Sequence, residues 1–275
     1  MPAFNEITPA QLYRLIGTPD APGLVDLRIQ EDFEDDPRLI PGAFRSPHTD
    51  LAALKAQLER RQAERVVVYC QKGRKISQGV AALLRSDGWA VEVLQGGQFA
   101  WRDAALPMRE EIGMLQRTEE GQTRWVTRHR PKIDRIACPW LVRRFIDPTA
   151  EFLFVPQQDV ALVAEKFNAI PFDVEGVRFS HRGERCSFDA FMEDFDLRSN
   201  ALDQMAVVIR GADTNRHDLA PQAAGLLALS VGLSRMVRDD MMQLDAGMLL
   251  YDALYRWARD GMDEGHDWPA PGSKP

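Results

Sequence analysis

Cys70 stands where an apolar run ends and a cationic turn containing a glycine begins, in "VVVYCQKGRKIS", residues 66–77. Val66 to Tyr69 is a β-branched and aromatic run bounded by turn residues, the pattern of a buried strand. Beyond Ser77 the apolar residues Val80, Ala81, Leu83 and Leu84 recur at helical spacing, so the cysteine is placed at a strand-to-helix turn. The thiolate is the nucleophilic form of cysteine, and its pKa falls at a helix N-terminus, beside cations, or facing several backbone amides. This turn offers all three. Gly73 lets the chain curl with its amides inward, while Lys72, Arg74 and Lys75 add positive potential. Cys70 is therefore the predicted nucleophile, and Gln71, Lys72, Gly73, Arg74 and Lys75 form the predicted loop that holds an anion against its sulfur. The glycine and lysine spacing of a Walker phosphate loop is absent. Phosphatases of the Cys-x5-Arg kind need arginine where this chain has Ile76, so phosphoryl transfer is disfavoured.

A second set of reactive residue types lies further on. In "KIDRIACPWLVRRFID" (132–147), Pro139 is tolerated in a helix chiefly at its first turn, which predicts a helix that begins there with Cys138 as its N-cap. Arg135, Arg143 and Arg144 lie close in sequence. Two readings of this stretch stand: a thiol able to bind or be oxidised by an oxyanion, or a cysteine that only packs beside Trp140 while the arginines pair with Asp134 and Asp147. His181, Cys186 and His217 supply soft and borderline ligand types. Their spacing matches no standard metal motif, so no metal and no cofactor is assigned. Met236, Met241, Met242 and Met248 read as core or interface filling.

The elements that must position these residues follow from periodicity. Thr8, with Pro9 and Gln11 behind it, forms a capping box that opens a helix. Then come "GLVDL" as strand, "LAALKAQLERR" as helix, "RVVVYC" as strand, a helix from Ser77 closed by Gly88, and "AVEVL" as strand. This β-α alternation predicts a parallel sheet with helices on both faces, whose ligands bind beyond the carboxyl ends of the strands. Residues 109–122 are charged, lack apolar periodicity and read as an interdomain linker. From 123 to 262 the pattern predicts a second, α+β domain rich in helix. Strands are expected at "RWVTR", "EFLFVP", "GVRFSH" and "MAVVIRG", with long helices over 221–237 and 241–260. Residues 263–275 read as a tail.

Bulk properties narrow the classes. The 275 residues suffice for two cores. A net charge of -7 argues against nucleic acid or anionic membranes as partners of the whole surface. No apolar run approaches the ~20 residues that span a bilayer, and the first residues lack the features of a secretory signal. A cytoplasmic location is therefore expected. Three scattered cysteines give no disulfide framework.

Residues 1–108 resemble a single rhodanese domain. The resemblance rests on "LVDLR", with Asp26 and Arg28; "IPGAF", Ile40 to Phe44; "VVVYCQKGRKIS"; "DGW"; and "LQGGQFAW", Leu94 to Trp101, in that order. It implies a sulfurtransferase in which Cys70 takes a sulfur atom from an anionic donor such as thiosulfate and passes it, as a persulfide, to a thiol or cyanide-like acceptor. Asp26 and Arg28, at a strand end within the matched motif, read chiefly as a structural pair. Residues 123–260 resemble the C-terminal domain of the chromate-resistance protein ChrB through "KIDRIACPWLVRRFID", "FSHRGERCSFD" and "AAGLLALSVGLSRM". That resemblance implies a link to chromate or another oxyanion but carries over no chemistry. Beside the enzyme two other functions stand: an oxyanion or redox sensor or adaptor without significant turnover, and a metal- or thiol-dependent reductase in the second domain.

Overall fold

The computed structural model describes residues 5–112 and 115–265. Its first half alternates β1 (Glu6–Ile7), α1 (Pro9–Leu15), β2 (Gly23–Asp26), α2 (Gln30–Glu34), β3 (Arg38–Leu39), β4 (Phe44–Arg45), α3 (Leu51–Arg60), β5 (Val66–Tyr69), α4 (Lys75–Ser86), β6 (Val91–Leu94) and α5 (Gly97–Asp103). The predicted capping box is formed, with the Thr8 hydroxyl accepting from the Gln11 amide and the Gln11 side chain returning to the Thr8 amide. Five strands make one parallel sheet in the order β1-β6-β5-β2-β4. This is a rhodanese-like α/β architecture with β5 in the centre, and Cys70 follows directly from its carboxyl end.

The sheet is apolar on both sides because successive side chains alternate faces. Val66 and Val68 of β5 join Leu54 and Leu58 of α3 and Val80, Ala81 and Leu84 of α4. Val67 and Tyr69 point the other way, into a core with Leu12 of α1 and Trp101 of α5. Burying each such side chain contributes on the order of 1.5–3 kcal/mol, so the strand that delivers the cysteine is held from both sides.

The second half continues with β7 (Arg109–Glu110), β8 (Arg124–Arg128), α6 (Asp134–Leu141, running on into a π-helical turn at Val142–Ile146), β9 (Glu151–Val155), α7 (Val160–Phe167), β10 (Ile170–Pro171), α8 (Ser187–Asp194), α9 (Asn200–Asp213), α10 (Ala223–Met236) and α11 (Asp240–Arg256). A small parallel sheet, β10-β8-β9, lies against this helical layer. Trp125 of β8 packs among Phe172, Phe179 and Phe191, with ring centroids 5.2 to 6.3 Å apart.

Three expectations are corrected here. "MAVVIRG" is not a strand but the middle of α9. Met205, Ala206, Val208, Ile209 and Ala212 are buried at helical spacing, and the Ser199 hydroxyl accepts from the Leu202 amide to start the helix. "GVRFSH" forms only a single bridge, Phe172 to Phe179. Cys138 does not begin a helix: α6 opens at Asp134 after Ile133, so Pro139 lies inside it.

The stretch read as a linker carries structure of its own in its described part. Arg109 and Glu110 pair antiparallel with Leu39 and Arg38, and the buried Arg109 guanidinium donates to the carbonyl of Ala43 at 3.0 Å. Burial draws this guanidinium down to about 10. The Glu110 amide donates to Phe195 O at 2.9 Å, so the stretch ties the two halves together. One apolar cluster runs from Leu12, Tyr69 and Trp101 through Phe145 and Trp140 to Tyr255. The Gly42 amide donates to Phe145 O at 2.6 Å across the same boundary. No helix among the described residues is long and apolar enough to cross a membrane.

Candidate functional site

The turn after β5 curls because its glycines accept what other residues resist. Gly73 lies at φ +64°, and Gly96 and Gly97 in the turn below it at +71° and +61°. The two turns touch backbone to backbone, and a Cβ on Gly97 would stand 2.2 Å from the Cys70 carbonyl oxygen. At the start of α5 the Gln98 and Phe99 amides donate to Cys70 O and Gln71 O, both at 3.0 Å. The carbonyls are thereby held on the α5 side of the loop.

Cys70 is 5% exposed, at the foot of a cleft of about 860 Å³ whose walls include Ile29, Asp32, His48 and Leu83. Its Sγ lies 3.3 Å from the Ser77 hydroxyl, which is also 3.2 Å from Arg74 O. That hydroxyl has one proton for two acceptors, so it turns toward sulfur when the thiolate forms. Burial pushes the thiol up, but hydrogen bonds from the Ser77 side chain and from the Ser77, Arg74 and Lys72 amides outweigh it, and the net shift is downward. The Ser77 hydroxyl and the amides of Lys72, Arg74 and Ser77 are the source of this acidity. Lys72, Arg74 and Lys75 are exposed and line the cleft, and Lys72 also lies over the Phe99 ring at 6.0 Å.

Asp26 and Arg28 lie to one side of this chemistry. Both are buried, joined by contacts of 2.6 to 3.1 Å, and the guanidinium also donates to Asp36 O and Arg38 O at 2.7 Å. The pair ties the end of β2 to the segment that leads into β3, a positioning arrangement with no contact to Cys70.

Comparison with known proteins bears on both halves. Residues 8–104 match the rhodanese-like domain family, and residues 125–258 match the ChrB C-terminal domain family. The chain carries a rhodanese-like domain followed by a ChrB C-terminal domain. Its first half is sulfurtransferase-like. Protein ChrB of Cupriavidus metallidurans is 31% identical over 196 residues, covering 66% of this chain; the chain spans 59% of the length of that relative. Among solved structures, a rhodanese-related protein from Thermoplasma volcanium is 22% identical with a TM-score of 0.34, covering 39% of this chain and 100% of that one. A thiosulfate sulfurtransferase from Pseudomonas aeruginosa is 28% identical with a TM-score of 0.33, covering 41% of this chain and 20% of that one.

In the ChrB C-terminal domain the candidate residues separate. Cys138 lies inside α6, wholly buried, and burial with Asp134 and Asp173 nearby pushes its thiol far up. Cys186 caps α8 and is raised likewise by burial and Asp134. Neither is an activated thiol, so of the two readings of Cys138 the structure favours the cysteine that only packs. His217 is exposed in the turn after α9 and does not join them. Arg135 faces Asp173 at 3.3 Å; Arg143 and Arg144 reach Asp245 and Asp252 rather than Asp134 and Asp147.

His181 does find partners, of a kind the sequence did not suggest. Its Nε2 lies 3.1 Å from Asp213 Oδ2, 3.6 Å from Asp173 Oδ1 and 3.7 Å from Asp134 Oδ2. Hydrogen bonds to Asp173 and Asp213 carry this imidazole up to about 10. Asp134, buried beside two other carboxylates, is pushed well above the usual range. Ser77, His48 and this carboxylate group are the residues missed from the sequence. Ser77 was legible in principle, since a hydroxyl one turn into a helix that follows a cysteine turn faces back toward the sulfur.

One outcome follows for the three thiols. At neutral pH, iodoacetamide should alkylate Cys70 alone in the native protein, and Cys138 and Cys186 only after denaturation. The alkylation rate of Cys70 should reach half its maximum at a lower pH than a free cysteine requires. The same shift stabilises the fold above the free-thiol pKa, a gain lost as pH falls through the folded value. Peptide mass mapping across a pH series checks this, and native labelling of Cys138 would contradict it.

Proposed function

We propose that the protein is a sulfurtransferase that forms a persulfide on Cys70 from a small anionic donor such as thiosulfate. The observation that supports this most directly is the thiol made acidic by Ser77 and three loop amides at the foot of an open cleft. The Cys70 thiolate attacks the outer sulfur of the donor. A new S–S bond forms, the donor's S–S bond breaks, and sulfite leaves with the electron pair. The loop amides that held the thiolate then hold the persulfide anion, while Arg74 and Lys75 attract the donor by charge. A thiol or cyanide-like acceptor attacks the outer sulfur and regenerates the Cys70 thiolate.

The ChrB C-terminal domain links this chemistry to chromate or another oxyanion. A sensing role is favoured by the single apolar cluster that joins the halves, because a change packed against Tyr255 or Phe145 has a direct mechanical route to the sheet. A reductase in the second domain that depends on its thiols finds no support in two buried cysteines raised far from ionisation. Incubation with thiosulfate followed by mass spectrometry of intact protein and peptides tests the sulfurtransferase reading. One sulfur atom should appear, on the Cys70 peptide; its absence there would overturn the proposal.

A further inference from the structure

We propose that Asp134, Asp173 and His181 bind one divalent first-row transition-metal ion in the ChrB C-terminal domain. Their donor atoms all lie within 4.8 Å of one another, although they come from two separate segments: the first turn of α6, which supplies Asp134, and the connection between β10 and α8, which supplies Asp173 and His181. Bonds of ~2.1 Å to a tetrahedral ion would set neighbouring donors about 3.4 Å apart. His181 Nε2 stands 3.6 Å from Asp173 Oδ1 and 3.7 Å from Asp134 Oδ2, each within a few tenths of an ångström of that separation.

Each carboxylate is already oriented by outer partners, as metal-ligating groups require. Asp134 Oδ2 accepts from the Ser187 and Phe188 amides at the start of α8. Asp173 Oδ2 is held by Arg128 at 3.0 Å and faces Arg135 at 3.3 Å, while its Oδ1 accepts from the Ser187 hydroxyl at 2.8 Å. An independent observation points to a missing ligand. Asp134 is 1% exposed, yet its Oδ1 has no hydrogen-bond partner, and an unpaired oxygen on a buried carboxylate is costly unless something cationic meets it.

Imidazole with two carboxylates suits manganese, iron or zinc rather than calcium or magnesium. Cys138 and Cys186 lie outside the set of close donors, so the site is of nitrogen and oxygen character. The His181 side chain is 42% exposed, which leaves one side open to solvent. Three protein ligands with an open position describe a site that takes a water or an exogenous ligand. Asp213, 3.1 Å from the same imidazole nitrogen, would accept a hydrogen bond from that water. With the ion bound, Arg128 and Arg135 flank a centre that an oxyanion could enter.

The test uses full-length protein stripped with chelator and titrated calorimetrically with Zn²⁺ and, separately, Co²⁺. One ion per chain is expected, with a visible absorption band for Co²⁺ bound through imidazole and carboxylate. His181→Ala should weaken binding by more than the ~10–100-fold typical of losing an outer partner. The isosteric Asp173→Asn should do the same, with thermal melting to confirm that both variants fold. Cys70→Ser should still bind one ion with unchanged affinity. Absence of stoichiometric binding, equal affinity in a folded His181→Ala protein, or loss of the site in Cys70→Ser would overturn the assignment.

Discussion

Serine in place of Cys70 is expected to lower sulfur transfer by at least ~10³-fold, because the proposed reaction runs through a covalent intermediate for which an alcohol offers no substitute. A serine hydroxyl at this position would find the same Ser77 partner, but it does not ionise near neutral pH and forms no persulfide. The fold should survive. Cys70 fills a position at the end of β5 whose neighbours are loop amides and Ser77, so exchanging sulfur for oxygen should change stability by no more than ~1 kcal/mol. Thiosulfate kinetics and a thermal melt, on one preparation, separate the two effects. Sulfur transfer at the wild-type rate in a folded Cys70→Ser protein would remove the cysteine from the mechanism.

Gly97→Ala should have the largest effect on the structure of the site. Alanine at φ +61° costs about 1–2 kcal/mol in backbone strain alone. Its methyl group would also stand 2.2 Å from Cys70 O and 2.4 Å from the Gly73 amide nitrogen. Both are backbone atoms, so no rotamer change relieves the contact. The cysteine turn must lift off α5, breaking the bonds from Gln98 and Phe99. A combined loss of roughly 3 kcal/mol or more is expected, with the Cys70 thiol shifted back toward the free value because its amides no longer converge. Gly225→Ala is the control. It lies in α10 with open space around it, where alanine should raise stability by about 0.5–1 kcal/mol. Melting curves and thiol titration of both variants check this; a Gly97→Ala protein that melts and titrates like the wild type would show that the two turns can part freely.

The first half of the fold was legible because its strands and helices differ in period and carry explicit stops. The capping box at Thr8, the β-branched run before Cys70 and Gly88 each say where an element begins or ends. The second half was less so. "MAVVIRG" satisfies a buried strand and a buried helix equally; only Ser199, several residues upstream, decides, and its signal is invisible if the window is too short. Pro139 misled for the opposite reason. A general preference for the first helical turn was overridden by packing that accommodates proline inside α6 with a π-helical turn after it. At the site, Cys70 was legible because its partners are local. Ser77 and the amides lie within eight residues of chain, so sequence order is nearly spatial order. His181 is not legible in that way: Asp173 lies eight residues upstream but carries no signal by itself, and Asp134 and Asp213 come from distant segments that only the tertiary fold brings to the imidazole.

Gly17 sits where the two halves meet, and it has no room to become anything else. A methyl group there would stand 2.4 Å from the Phe145 ring and 2.8 Å from that of Tyr255. Proteins assembled by joining two ready-made parts usually retain a join at which either part can be exchanged for another of its kind. This chain has filled its join with aromatic rings and a backbone hydrogen bond from Gly42 to Phe145. A larger residue on one side of the join therefore needs an answering reduction on the other, so what position 17 can hold is decided as firmly by Phe145 and Tyr255 as by its own half of the chain.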